Sequence, residues 1–337
     1  MSHRVRPVRT DDFDAIYEMA KLTGGGFTNL PPDRGTLVEK ITRSEAAFAR
    51  TEDVPANDLF MFVLENCDTG QVRGTCQIFG RVGDEWPFYS YRLTTLTQTS
   101  RELGRTFRAE MLTLVTELEG SSEVGGLFLH PGERAGGLGL LLARSRYLFI
   151  RLHRKRFGDR LIAELRGVID EAGGSPFWDG VAGRFFDMNF QTADEFNASN
   201  GNQFIADLMP KTPIYTALLP DSAKAVIGVP HPSGRAAMRM LERENFKHDC
   251  YVDIFDGGPT MVARTDEVRT IKTARSYKLA ATGPGKAIAL IAAGRLTNFV
   301  CTYAQVGTTE DGGRTLDEGA VERLGIAPGD SFLRMDR

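Results

Sequence analysis

The chain begins with a strand-like segment followed by two segments with helical spacing. The stretch "HRVRPVR" favours a strand, and "TDDFDAIYEMAKLTG" repeats its apolar residues at the spacing of one helical face. Thr10 or Asp11 would cap this helix, and the glycines at 24–26 would end it. The pattern predicts a second amphipathic helix over residues 34–49.

The next part of the chain carries the pattern of a β-hairpin. The stretch "DLFMFVLENCDTGQVRGTCQIFGRV" holds two β-rich runs around Asp68, Thr69 and Gly70, which favour a tight turn. After room for one further strand, residues 125–131 predict a strand, 138–153 a helix and 159–170 another strand. A helical turn follows in "SPFWDGVAGRFF", so this part runs β-α-α-β-β-(β)-β-α-β-α.

The second half closes like the end of the first. Residues 233–246 predict a helix that leads into the strand "CYVDIFDG", much as "SPFWDGVAGRFFDMNF" ends in phenylalanine before a strand. Either a tandem duplication or a coincidence would explain this similarity between the two halves. The tail from residue 275 onward has short β runs between Gly and Pro turns, which indicates a small β module. We therefore expect domains at 1–195, 196–274 and 275–337.

Composition places the chain among ordinary globular proteins. Its 337 residues include 42% hydrophobic and 25% charged residues, with a net charge of −3. This balance argues against nucleic acid as a partner, because binding phosphates needs a basic surface. Without a long apolar run or an apolar signal core, we expect a cytoplasmic protein with no membrane partner. The four scattered cysteines lack a CxxC pair, which favours free thiols and no metal site.

A glycine-rich stretch, "HPGERAGGLGLLLARSR" at residues 130–146, lies between a predicted strand and a predicted helix. In it, Arg134, Gly137 and Gly139 form the pattern R-x-x-G-x-G. The free N–H groups at a helix N-terminus attract anions, glycines let a phosphate approach them, and Arg134 would add a positive charge. A Walker loop needs a following lysine, and a dinucleotide fingerprint needs a different glycine spacing. The stretch is therefore either a pyrophosphate cradle or a plain turn.

Together with the order of elements, this motif resembles the coenzyme A loop of the acyl-CoA N-acyltransferase (GNAT) superfamily. The resemblance implies an α/β (α+β) GNAT-like fold, duplicated in tandem, with a small C-terminal β module. In such folds a bulged strand polarises the acyl carbonyl, which points to Leu127, Phe128 and Leu129 as coenzyme-binding residues along with the glycine loop. The glycine-rich segment at 23–33 corresponds to a region that borders the acceptor site in such folds. It is either a loop over the substrate or only the end of the first helix.

Most of the chain resembles the arginine N-succinyltransferase family. The resemblance is carried by long segments such as "RPVRTDDFDAIYEMAKLTGGGFTNLPPDR", "DEAGGSPFWD", "FIADLMPKTPIYTALLP", "AVIGVPHPSGRAAMRMLERENF" and "YVDIFDGGPT". It implies direct transfer of succinyl from succinyl-CoA, a co-substrate rather than a permanently bound cofactor, to the α-amine of L-arginine in arginine catabolism. It also implies that His231 is the proton donor, that Leu127 contacts succinyl-CoA, and that the protein forms a homodimer or paired-subunit oligomer.

The chain departs from the family at His130, where an acidic residue is common, and in the "AGGL" of its glycine loop. Two alternatives therefore stay open. One is the same fold with another acyl-CoA or amine, such as ornithine as the acceptor. The other is a module that binds acyl-CoA or arginine without catalysis.

Acyl transfer to an amine needs groups that move protons and groups that hold charged substrates. His231 lies between two prolines in "GVPHPSG", where it is either a positioned proton donor or a surface histidine. Glu164 and Arg166 would share one strand face, and with Asp256 they are candidates for binding the substrate's charged groups. Each could equally be a solvated charge, as could the further candidates Asp170, Glu171, Asp253 and Lys211.

Overall fold

A computed structural model describes residues 2–23, 29–133, 136–200 and 203–336. The strands of this part, in chain order, are β1 (His3–Pro7), β2 (Leu59–Asn66), β3 (Val72–Phe79), β4 (Ser90–Ser100), β5 (Arg105–Val115), β6 (Ser122–Leu129), β7 (Arg160–Glu164), β8 (Ile214–Tyr215), β9 (Lys247–Val252), β10 (Pro259–Arg264), β11 (Arg275–Thr282), β12 (Ala287–Ala293), β13 (Val300–Thr308), β14 (Arg314–Leu316) and β15 (Ser331–Asp336). The helices are α1 (Phe13–Lys21), α2 (Arg34–Ala49), α3 (Leu138–Leu152), α4 (Pro176–Gly180), α5 (Gly183–Phe186), α6 (Phe190–Asn200), α7 (Gln203–Leu208), α8 (Asp221–Lys224), α9 (Arg235–Arg243), α10 (Arg269–Thr273) and α11 (Glu318–Leu324).

The chain folds into two compact units, each assembled from separate stretches of sequence. The first unit comprises residues 1–81, 122–159 and 264–337, and the second comprises 82–121 and 160–263. These units differ from the expected division at 195 and 274, because pairing such as that of β1 with β13 joins the two ends of the chain. Local sequence patterns do not record such pairing between strands that lie far apart in the chain. The tandem duplication stays a prediction.

In the first unit, β1, β2, β3 and β6 form consecutive antiparallel neighbours. The helices α1 and α2 cover one face of these strands. Their apolar residues pack with Met61 and Val63 of β2 in a buried cluster, which leaves the polar sides of both helices outward. Asp33 caps α2 by accepting a hydrogen bond from the Thr36 backbone N–H, so the helix begins where its spacing predicted.

The end of the first unit is a closed β structure. The strands follow the order β12-β15-β11-β14-β13, and β12 pairs with β13 to complete the ring. Its interior holds apolar residues of the strands together with Ala320 and Leu324 of α11. The sequence predicted a small β module here but not its helix. Asp317 caps α11 through the Ala320 N–H, and Gly325 ends the helix in the left-handed conformation.

The strands of the second unit follow the order β7-β10-β9-β4-β5-β8. The long hairpin β4–β5, for which the sequence predicted at most one strand, dominates this arrangement. Short helices α4 to α7 bring Phe177, Trp178 and Phe186 into a core with Val252 and Phe255. The strand expected at 159–170 ends at Glu164, because the chain then bends around the turn formed by residues 253–258.

The mixed α/β class is confirmed, and the predicted elements from β1 to α3 are present in the predicted order, with one strand of the β4–β5 hairpin in addition. The hairpin of β2 and β3 turns at Gly70, whose φ is 71°. Within the described residues, no helix has the length and apolar character needed to cross a membrane. The four cysteines are unpaired, with Cys76 and Cys301 buried.

Candidate functional site

A β-bulge interrupts β6 in the region where the resemblance to GNAT folds implied a bulged strand. Thr75 of β3 pairs with Phe128 and Gln77 pairs with Gly125, so Gly126 and Leu127 together face one residue of β3. Gly126 has a φ of 56°, a left-handed conformation that a side chain would strain. A bulge leaves one residue outside the hydrogen-bond ladder. It therefore offers a backbone N–H group beside the half-buried Leu127.

The chain turns from β6 into α3 through two consecutive left-handed glycines. Gly136 and Gly137 have φ values of 67° and 83°. The Gly137 carbonyl accepts from the N–H groups of Leu140 and Leu141 at 3.1 and 3.0 Å, which starts the helix. The first N–H groups of a helix have no carbonyl of an earlier helical turn to bond, so they are available to an anion. The motif gave Gly136 no role, and the structure shows that it forms half of this turn.

Gly139 lies in the first turn of α3 with open space around its Cα. A Cβ built there would meet only Leu129 Cδ2, at 3.8 Å, which is ordinary contact. Protein packing therefore does not require glycine at this position. A ligand that approaches the backbone would explain it. Arg134, the predicted charge partner, and the glycines at 24–26 lie outside the described residues.

His231 lies in the second unit at the entrance to a short helical turn. Its backbone N–H donates to the Arg166 carbonyl at 2.8 Å, and its ring Nδ1 accepts from the Ser233 N–H at 3.3 Å. The Ser233 hydroxyl lies 2.7 Å from the same Nδ1. Because a hydroxyl can both donate and accept, it can serve the neutral ring and the protonated ring alike. Nε2 is the ring nitrogen without a described protein partner.

Arg166 is a half-buried cation whose backbone is bonded to His231. Its Nε atom is buried and has no hydrogen-bond partner among the described residues. Burial lowers the pKa of His231, and the Arg166 guanidinium lowers it further. An unpaired buried guanidinium N–H is costly to leave unbonded, so a carboxylate ligand would stabilise it.

Asp256 has a different environment from the one the sequence suggested. Its side chain is buried, and its two oxygens accept from the backbone N–H groups of Gly167 at 2.7 Å and Gly258 at 2.8 Å. Burial raises the pKa of Asp256, and the charge of Asp253 raises it further. These contacts tie the chain after Arg166 to the turn at 253–258. Asp256 therefore positions Arg166, and its binding of substrate stays a prediction.

The other sequence candidates give weaker support for a site. Glu164 and Arg166 are both half-buried on either side of the buried Leu165, as the alternation predicted. Asp170 accepts hydrogen bonds from the backbone N–H groups of Ala172 and Gly174, so it stabilises a turn. Sequence reasoning missed Ser233 and Gln77 as partners of the candidate residues. The position of Ser233 two residues after His231 is the one sequence feature that could have suggested Ser233 as a partner of the histidine.

Comparison with known proteins shows the family to which the chain belongs. The model of a family described as arginine N-succinyltransferase beta subunit matches residues 3–270. An arginine N-succinyltransferase of Citrobacter koseri is 44% identical over 271 residues, covering 80% of this chain and 78% of that protein. Arginine N-succinyltransferase subunit beta of Pseudomonas aeruginosa is 43% identical over 281 residues, covering 83% and 82%.

A solved structure has the same fold along nearly the whole chain. It is arginine/ornithine succinyltransferase subunit AI from Pseudomonas aeruginosa, with a TM-score of 0.88 and 31% identity, covering 99% of this chain and 98% of that one. Since the family model covers more than half of the chain and relatives exceed 40% identity, sequence and fold agree. The chain belongs to the arginine N-succinyltransferase family, whose members are acyltransferases.

Proposed function

We propose that this protein transfers the succinyl group of succinyl-CoA to the α-amine of L-arginine. The observation that carries the proposal is the bulge at Gly126 and Leu127 together with the glycine turn that begins α3, in a chain of this family. In the reaction the amine nitrogen forms a bond to the thioester carbonyl carbon, and the bond from carbon to sulfur breaks. The amine loses a proton and the coenzyme A thiolate gains one.

The bulge and the glycine turn would bind the co-substrate. The N–H groups of the first turn of α3, with Gly137 and Gly139, hold its pyrophosphate, and Arg134 adds charge. The strand from Leu127 to Leu129 lies along the thioester, and the N–H group freed by the bulge polarises the carbonyl as negative charge develops on its oxygen. Coenzyme A brings no metal or redox chemistry to this step.

His231 would supply the proton to the leaving thiolate. A thiol has an ordinary pKa of about 8.5 and imidazole about 6.5, so transfer from the protonated ring to the thiolate is downhill. During exchange at Nε2 the ring keeps its proton on Nδ1, which donates a hydrogen bond to the Ser233 hydroxyl 2.7 Å away. The same ring would take up the amine proton, so that no proton is stranded.

Arg166 would bind a substrate carboxylate through its buried Nε, which no described residue bonds. Both succinyl-CoA and arginine carry a carboxylate, and substrate analogues that lack one of the two carboxylates show which one Arg166 binds. Acetyl-CoA lacks the first carboxylate and agmatine lacks the second. An Arg166→Gln variant should lose the preference for whichever carboxylate it binds and keep the other preference.

A thiol-release assay over acyl-CoA and amine pairs tests the proposed function. We expect the highest kcat/KM for succinyl-CoA with L-arginine, and a large fall in kcat for His231→Ala with both KM values retained. His248→Ala is the control, because His248 bonds only to the Tyr251 carbonyl among described partners. Equal turnover of His231→Ala and wild type would refute the role of His231. No release from any pair would favour a binding module.

Ornithine is the second candidate acceptor. The solved relative is named for both arginine and ornithine. Both Pseudomonas aeruginosa relatives are named as subunits, which supports a paired-subunit assembly or a homodimer here. The ornithine arm of the panel and the mass of the purified protein in solution test these two points.

A further inference from the structure

The face of the first unit beneath α1 and α2 contains a buried amide with an unsatisfied acceptor. Gln77 of β3 has no exposed surface. Its Nε2 donates to the Asn29 carbonyl at 2.9 Å, which fixes the orientation of the amide. Its Oε1 is buried and has no hydrogen-bond partner among the described residues. Leaving such an acceptor unbonded costs free energy, and a ligand N–H would recover it.

Gln77 lies against the bulge that the proposed function assigns to the thioester. A Cβ at Gly126 would come within 2.7 Å of Gln77 Cδ and 2.9 Å of its Nε2. A Cβ at Gly125 would come within 2.8 Å of the Asn29 side-chain nitrogen. The two glycines therefore allow two amide side chains to sit directly on the bulged backbone. The Gln77 amide that carries the unbonded acceptor therefore lies against the bulge to which the proposed function assigns the thioester.

The surrounding charge favours a ligand that donates hydrogen bonds. Glu123, two residues before Gly125 on β6, is a buried carboxylate whose Oε1 would lie 3.4 Å from a Cβ at Gly125. Lys40 of α2 faces Glu123 and balances part of its charge. The buried Arg146 guanidinium also borders the bulge, but it already donates to the Gly125 carbonyl at 3.1 Å. The Glu123 carboxylate and the Gln77 amide oxygen are hydrogen-bond acceptors, which suit an amine better than an anion.

We infer that Gln77 Oε1 accepts a hydrogen bond from an N–H group of the amine substrate and orients its nitrogen toward the bulge. Gln77 is then a substrate-binding residue of the first unit. An amide is too weak a base to remove the proton, so its effect is on binding and orientation. This inference rests on the proposed acylation of an amine.

Two substitutions separate substrate contact from packing. Gln77→Met keeps the length of the side chain but loses both hydrogen bonds, whereas Gln77→Glu keeps acceptor oxygens and loses only the bond to Asn29. We expect Gln77→Met to raise the KM for L-arginine about ten- to hundredfold, with the KM for succinyl-CoA unchanged. Gln77→Glu should recover much of this loss. Equal losses in both variants, or parallel changes in both KM values, would show a packing role and overturn the inference.

Thr75→Val is the matched control. Thr75 lies two residues earlier on the same face of β3, is equally buried, and also has a hydroxyl with no hydrogen-bond partner in the described part of the chain. It faces Phe128 instead of the bulge. Since valine has nearly the same shape, this variant should leave the KM for arginine unchanged.

Binding to the wild-type protein tests the contact without relying on variants or turnover. A crystal structure with L-arginine and free coenzyme A should place an arginine nitrogen within hydrogen-bond distance of Gln77 Oε1. Arginine bound elsewhere would overturn the inference even if the enzyme is active. If wild type releases no coenzyme A from any pair, the proposed function fails, while calorimetric binding of arginine to wild type and Gln77→Met still tests Gln77.

Discussion

Replacing Gly139 by alanine should make the protein more stable and a poorer enzyme. A Cβ at this position would meet only Leu129 Cδ2, at 3.8 Å, and the backbone is not left-handed. Alanine in place of glycine inside a helix stabilises by about 0.5–1 kcal/mol. For domains of this size, that corresponds to a rise in Tm of about 1–4 °C.

The same methyl group would occupy the space through which a phosphate reaches the first turn of α3. A hydrogen bond between an N–H group and an anion contributes about 1.5–3 kcal/mol. Losing one should raise the KM for succinyl-CoA about ten- to hundredfold. The KM for L-arginine should change little, because Gly139 contacts no part of the proposed amine site.

Gly35→Ala is the matched control for this variant. Gly35 is also the second residue of its helix, α2, and a Cβ there would meet only Asp33 Oδ1, at 3.4 Å. Differential scanning fluorimetry should give both variants a similar rise in Tm, while steady-state kinetics should change the KM for succinyl-CoA only in Gly139→Ala. A stabilised Gly139→Ala with a wild-type KM would refute the phosphate cradle.

Three further predictions concern the bulge, the buried aspartate and pH. Gly126→Ala should lower kcat and cost about 1–3 kcal/mol of unfolding free energy, because alanine is strained at a φ of 56°; urea unfolding and turnover check it. Asp256→Asn should destabilise by about 1–3 kcal/mol in the same assay, since an amide cannot accept from both N–H groups, and it should lower the activity through Arg166. Burial lowers the pKa of His153 from 6.5 to about 4, so between these two pH values the folded state binds fewer protons than the unfolded chain. Unfolding free energy should therefore fall by about 1–2 kcal/mol from pH 7 to pH 5, and by less in His153→Gln; an equal fall in both proteins would contradict this origin.

Local patterns predicted the elements whose causes are local. The helix at 34–49 has its cap at Asp33, and the hairpin of β2 and β3 has its turn at Gly70. The hairpin β4–β5 was largely missed because its strands are rich in threonine and other polar residues, and few of their residues are buried. The interleaving of the two units depends on pairs such as β1 with β13, which no local pattern records.

The parts of the candidate site that carry a sequence motif could be predicted, and the parts without a motif could not. The glycine motif and the expected splayed strand pointed to the region where the bulge at Gly126 lies. Asp256 was proposed to bind substrate because it is a charged residue in a glycine-rich segment. In the structure its oxygens accept hydrogen bonds from backbone N–H groups. Gln77 carried no signal, because an unsatisfied acceptor is visible only once its neighbours are placed.

The product made from succinyl-CoA and L-arginine tests the central claim most directly. Wild-type protein should convert the pair to free coenzyme A and an arginine that carries one succinyl group. NMR of the purified product should place that group on the α-nitrogen and leave the guanidinium unmodified. Absence of this product, or succinylation of the guanidinium, would contradict the proposed reaction.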